Sequence, residues 1–256
     1  VVSPIYGTVI HGQGQKKKYC FVEVDTGEGV CFSEIYPALY STDLVQAAIE
    51  EISKRVCRIE LSDTDSLNDT LHIPFISGAG TYQAVSAAVL NAIDHKDGLD
   101  IDLALDNFRP YLSGGTVKTS LSQMESEILL CTSQHFHNYK VRLDYRDEKD
   151  CYEKIKLLNG SDVNYAVDFI CNTNHGEFNE QVILGLIDQM DVNAVEWIEE
   201  PVVPHHTLNR FEFLSAIKER GFVIGLGESL TSPLEFLALD KLSSIGLIQL
   251  DSTING

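Results

Sequence analysis

The chain has 256 residues, 44% hydrophobic and 22% charged, an ordinary balance for a globular protein and enough for one large or two modest domains. Its formal net charge of −19 argues against a nucleic-acid or anionic-membrane partner, because both attract basic surfaces. No apolar run reaches the roughly 18 to 20 residues that span a bilayer, and the start VVSPIYGTVIHGQG lacks a basic region followed by an apolar core, so the chain reads as cytoplasmic.

In chain order, residues 19–36, YCFVEVDTGEGVCFSEIY, alternate apolar and polar about a glycine-rich TGEG turn and predict a β-hairpin. Ser41 to Val56 predicts a helix, with Val45, Ala48, Ile49, Ile52 and Val56 on one stripe and Ser41 to Asp43 as N-cap candidates. A polar loop, SDTDSLND, precedes a second helix, GTYQAVSAAVLNAIDHK, whose stripe is Val85, Ala88, Val89, Ala92 and Ile93. Strands first and helices after predict an α+β unit up to about Leu112. The run Lys16 to Lys18 reads as a solvated charge cluster.

PYLSGGTVKTS, residues 110–120, leads into a series of strand–helix steps. SQMESEILLCTSQHF reads as a helix and YKVRLD as the second strand, with Lys140 and Arg142 on one face and Val141 on the other. NYAVDF is the third strand and ends at Asp168; a helix follows, with apolar Val182, Leu184, Leu186, Ile187 and Met190. The fourth strand, in AVEWIEEP, ends at Glu199 and Glu200 and precedes the helix RFEFLSAIKER. VIGLGES carries Glu228, LEFLALDKLSS is the next helix, and GLIQLDS is a sixth strand ending at Asp251. These ionisable strand ends recur at intervals of roughly 23 to 31 residues, the length of one strand, one helix and two loops.

Such βα units form a parallel sheet, and right-handed crossovers wind them one way into a barrel. The C-terminal strand ends of a barrel converge on one mouth, so Asp168, Glu199 and Glu228 would share one space there. Acids at strand ends can merely begin loops, but three in register beside a basic pair weigh against that. Carboxylates so placed repel one another unless a cation neutralises them, and hard oxygen ligands favour Mg²⁺.

YKVRLD, VDF, WIEEP, GLGES and LIQLD, followed by Asn255 and Gly256, resemble the barrel of the enolase superfamily, in its mandelate racemase and muconate lactonizing enzyme branch. The resemblance covers nearly the whole chain and implies a TIM-type, modified (β/α)7β barrel over 113–256, behind an α+β capping domain over 1–112. A closed barrel needs eight strands and about six can be counted, so the barrel is expected to be incomplete over this sequence, with the natural chain continuing past Gly256 or residues omitted. GEGVCFSEIYP stands where the family has a variant of G-x-G-W-G-E; Glu34 matches and the usual Trp and Gly do not. By the same resemblance Val1 to Lys18 would hold the substrate-specificity loop, with GQGQKKK as its mobile part.

The resemblance further implies Mg²⁺ on Asp168, Glu199 and Glu228, with Glu200 in support or exchanged with Glu199. It implies removal of a proton beside a carboxylate, a small-molecule carboxylate substrate and a homo-oligomer. Lys140 and Arg142 occupy the K-x-K positions; arginine stays protonated, so Arg142 suits clamping a carboxylate or stabilising an enediolate and argues against two-base racemisation. Asp251 matches an acid that orients a His on the next strand. Ile170 stands where the family has Asn, and Asn172 or Asn174 comes late. His175, His205 and His206 cannot be moved into the base role by motif; the last two read as loop residues, and Lys118 as a solvated or packing residue.

The expected activity is a Mg²⁺-dependent lyase that dehydrates a sugar acid. A racemase, epimerase or cycloisomerase on the same scaffold is the nearest alternative, and a barrel that binds without catalysing is the alternative from another class. Six cysteines without a CxxC pair predict reduced, mostly buried thiols, and no His is placed to make Cys171 a nucleophile.

Overall fold

The structure, a computed structural model, describes residues 2–10, 16–27, 29–35, 42–57, 70–71, 80–94, 109–171, 178–202, 210–228, 230 and 233–249. They divide between two compact units, one dominated by Val1–Leu103 and the other by Ala104–Ser229 and Leu234–Gln249.

In the first unit β1 (Val2–Ile10), β2 (Lys16–Asp25) and β3 (Val30–Ile35) form an antiparallel sheet in that order. The predicted hairpin is present, with Asp25 opposite Val30. Gly27 turns it at φ 82°, donating its amide to Asp25 Oδ1 at 2.9 Å, and the Thr26 hydroxyl donates to the Gly29 carbonyl at 3.0 Å. Alternation buries Cys20, Val22 and Val24 and leaves Phe21 and Phe32 exposed. Helices α1 (Thr42–Val56) and α2 (Gly80–Asp94) add their predicted stripes to the same core, where Val45, Ile49 and Ile52 lie with Val85, Ala88, Val89 and Ala92.

Lys16, Lys17 and Lys18, at the end of the GQGQKKK stretch, are strand residues opposite Ile10, Val9 and Thr8. Residues 11–15 and the SDTDSLND loop lie outside the described residues.

The second unit carries six parallel strands: β4 (Leu112–Ser113), β5 (Asn138–Arg142), β6 (Asn164–Asp168), β7 (Val195–Glu199), β8 (Ile224–Leu226) and β9 (Leu247–Ile248). Between them run α3 (Leu121–Ser133), α4 (Glu148–Asn159), α5 (Glu180–Ile187), α6 (Phe211–Glu219) and α7 (Pro233–Asp240). Strand order follows chain order without reversal, as barrel winding requires; a doubly wound sheet reverses at a switch point. Tyr139, Val141, Tyr165, Val167, Ile198 and Ile224 are fully buried, alternating with the residues that build the site.

Helix ends are closed by local chemistry. Ser120 and Gln123 form a capping box at α3, Asp147 caps α4 and Asn179 caps α5. The stripe of α5 sits slightly off expectation: Ile183, Leu186, Ile187 and Met190 are buried, while Val182 and Leu184 are half-buried. Lys154 of α4 is fully buried and bonds Asp150 at 2.7 Å and the Val117 carbonyl at 3.1 Å, which ties the helix to the segment after β4. Lys118, beside it, is exposed in a turn.

Candidate active site

Register decides which side chains share a level in the parallel sheet. Ser113, Lys140, Ala166 and Trp197 pair across β4 to β7, and two residues further on Arg142, Asp168, Glu199 and Gly225 pair across β5 to β8. Side chains two apart on a strand share a face, so the second row stands above the first at the C-terminal ends of the strands. Adjacent strands lie about 4.8 Å apart, which brings Asp168 and Glu199 close enough to feel one another's charge.

The pairings follow from those rows. Lys140 Nζ reaches Glu199 Oε1 at 2.7 Å, with both side chains buried. Trp197 Nε1–H donates to Glu199 Oε2 at 2.9 Å. Arg142 Nε lies 3.5 Å from Asp168 Oδ2, and its Nη1 donates to the Gly114 carbonyl at 3.4 Å; this side chain keeps 31% of its surface exposed. The Ile170 amide donates to Asp168 Oδ1 at 2.7 Å.

Glu200, 1% exposed, turns away from this row. Its Oε1 accepts the amides of Gly227 at 3.0 Å and Glu228 at 3.2 Å, fastening the end of β7 to the turn after β8. Its Oε2 is buried without a hydrogen-bond partner. Glu228 itself is half-buried.

Burial pushes Asp168 up to about 7, and the Glu199 charge adds to it, against the Ile170 amide, Lys140 and Arg142. Burial likewise raises Glu200 to about 7, with Glu228 and Asp168 adding and the two amides opposing. For Lys140, burial works against the ammonium, but the charge and hydrogen bond of Glu199, helped by Tyr111 and Asp168, leave its pKa above the ordinary lysine value. Lys140 is therefore a fixed cation here. Burial raises the Cys171 thiol strongly, which disfavours the thiolate that a nucleophile needs. Cys20, Cys131 and Cys151 are also buried, and all six thiols are free.

Buried carboxylates at Asp168 and Glu200, raised by burial and by neighbouring acids, with one buried oxygen of Glu200 unsatisfied, are the donor chemistry a hard divalent cation suits. Among the described residues no three His, Cys, Asp or Glu side chains already converge on one point. Lys140 and Trp197 each donate to one Glu199 oxygen, which leaves each oxygen a further lone pair to offer a cation.

Of the residues expected from sequence, Lys140, Arg142, Asp168 and Glu199 come together, and Glu228 stands beside them through Glu200. Asp251, His175, His205, His206, Asn172 and Asn174 lie outside the described residues. Sequence reasoning missed Trp197 and Tyr111. The signal for Trp197 was its spacing, since a residue two before Glu199 on a strand shares its face.

No protein-family model and no curated protein sequence matches the chain. Solved structures do. The 3,6-anhydro-D-galactonate cycloisomerase from Zobellia galactanivorans is 18% identical, with a TM-score of 0.77 over 100% of this chain and 72% of its own. A racemase from Streptomyces coelicolor A3(2) with bound magnesium is 15% identical, with a TM-score of 0.78 over 100% of this chain and 76% of its own. An enolase from Bradyrhizobium complexed with magnesium and mandelic acid is 16% identical, with a TM-score of 0.72 over 100% of this chain and 74% of its own. The likeness is one of fold, and the α/β barrel architecture read from the residues is the fold these structures share. No helix among the described residues is long and apolar enough to cross a membrane.

Proposed function

We propose that the chain carries the chemistry of the mandelate racemase and muconate lactonizing enzyme branch of the enolase superfamily: Mg²⁺-dependent removal of the proton beside a carboxylate, leading to dehydration of a sugar acid. The observation that carries this reading is the pairing of Lys140 and Arg142 with Glu199 and Asp168 at the C-terminal ends of three consecutive parallel strands. Structural neighbours with magnesium, one of them with mandelic acid, support both the cofactor and a small carboxylate substrate.

Asp168, Glu199 and Glu228 would hold the cation. When bound, Mg²⁺ supplies the positive charge that makes a substrate carboxylate able to accept a second negative charge. Lys140, a fixed ammonium in a buried setting, stabilises the charge that develops as the proton leaves. Arg142, partly exposed, binds the carboxylate in two-pronged fashion and cannot accept a proton. With Arg142 cationic, one face of the substrate lacks a base, which favours elimination over racemisation. By the superfamily pattern the α-proton would pass to a His oriented by the acid that Asp251 matches; the C–H electron pair would enter the carboxylate system, and its return would expel the β-hydroxyl as water, the protonated base giving back its proton. The cycloisomerase among the neighbours makes ring opening or closure by the same first step the second reading.

A Mg²⁺ titration by calorimetry tests the assignment, followed by solvent deuterium exchange into a panel of sugar acids. Binding that is weakened in Glu199→Gln and in Glu228→Gln, with deuterium uptake beside the carboxylate, is the expected result. Unchanged affinity in both variants would sink the metal assignment, and no binding by the full chain would favour a barrel that does not catalyse.

A further inference from the structure

The only tryptophan of the chain stands two residues before Glu199 on β7 and on the same face. Glu199 is thereby gripped through both oxygens from two strands, by the indole N–H at 2.9 Å and by the Lys140 ammonium at 2.7 Å. The indole is itself seated. Tyr111 meets it edge-on at a centroid distance of 5.3 Å and 73°, and the Lys140 ammonium lies 5.5 Å from the centre of that tyrosine ring. Also against the indole is Gly225, the register partner of Glu199. A Cβ there would stand 3.0 Å from Gln249 Oε1 and 3.1 Å from the indole Cδ1, both tighter than most real contacts, so the glycine leaves room for the ring beside the glutamine. A ring that only filled the interior would need neither the N–H nor a charged acceptor; phenylalanine would serve.

We infer that Trp197 is a positioning residue for Glu199: Tyr111 and Gly225 seat the indole, and its N–H sets the carboxylate orientation that the cation meets. The inference rests on the reading of Glu199 as a Mg²⁺ ligand. Partners that orient a ligating carboxylate are typically worth about 10- to 100-fold in metal affinity.

Trp197→Phe keeps a ring against Tyr111 and deletes the N–H. Calorimetry on the full chain should show Mg²⁺ affinity reduced about 10-fold or more at unchanged circular dichroism, an effect a purely packing role would not produce. Emission of the single tryptophan gives an independent readout in a chain that retains the indole: Glu199→Gln, without added cation, should shift it because the charged acceptor is lost. Equal Mg²⁺ affinity in wild type and Trp197→Phe overturns the positioning role alone. Unchanged emission in Glu199→Gln overturns the contact. A wild-type chain that binds no Mg²⁺ removes the ligand reading, and the inference with it.

Discussion

Two residues that directly follow or closely follow site acids take left-handed backbone, Ile170 at φ 46° and Glu200 at φ 44°. For a β-branched residue this is a true outlier, and such positions cost on the order of 1–3 kcal/mol. The turn is held because the Ile170 amide bonds Asp168. Asparagine, the residue expected there from the superfamily resemblance, tolerates that conformation, so Ile170→Asn should raise stability by about 1 kcal/mol in urea denaturation. A loss of stability would mean that the half-buried isoleucine side chain contributes more packing than the strain removes. Asp168 gives a pH prediction. Its folded pKa, about 7, lies above the ordinary carboxylate value, so the folded chain binds the proton more tightly than the unfolded chain does. That contribution is complete below about pH 4 and is lost as pH rises through 7. With chelator present, Asp168→Asn should therefore gain on the wild type between pH 4 and 8, by about 2 kcal/mol once the charges left on Arg142 and Lys140 are allowed for. Parallel melting curves across that range would reject the buried-charge account.

At the scale of elements, the segment between β4 and α3 shows how packing fixes the strand that carries Arg142. The Gly115 amide donates to Glu127 Oε2 at 2.8 Å, the Tyr139 hydroxyl donates to the same oxygen at 2.5 Å, and the Arg142 amide donates to the Gly115 carbonyl at 2.7 Å. Gly115 has φ 54°, and a Cβ there would stand 2.7 Å from the Tyr139 hydroxyl. Gly115→Ala should cost about 2 kcal/mol or more, read by urea denaturation, because strain and collision add. Ser120→Ala, which opens the capping box of α3, should cost about 1 kcal/mol by the same measurement. Much of this was legible in the sequence. The period of two gave the strands with Lys140 and Arg142 on one face, and the period of 3.6 gave the helical stripes of the first unit. The mild offset on α5 arose because a helix that is apolar nearly all round leaves its buried side to be chosen by its neighbours. Left-handed Ile170 and Glu200 were not legible, because neither residue type signals that conformation. The indole contact depended on register across strands and on an absent Cβ at Gly225, which no single segment encodes.

At the scale of the whole molecule, a net charge of −19 draws cations to the chain nonspecifically, and a specific site must be separated from that background. At a Mg²⁺ concentration 100 times the dissociation constant, specific binding should stabilise the chain by about 2.7 kcal/mol. Thermal melts with Mg²⁺ against Na⁺ at matched ionic strength read this, and Glu199→Gln should abolish the difference; a rise that survives in the variant would come from screening alone. The site also sits on the sheet ladder itself. Leu143 donates its amide to the Asp168 carbonyl at 2.9 Å, Phe169 to Glu199 at 3.0 Å, Ile198 to Val223 at 2.8 Å and Glu200 to Gly225 at 3.0 Å. Those protons can trade with deuterium only when neighbouring strands part, so exchange at the C-terminal rim of the sheet should be as slow as in the core. The backbone beneath Asp168 and Glu199 then keeps the same clock as the fold, and the surrounding loops can vary without resetting it.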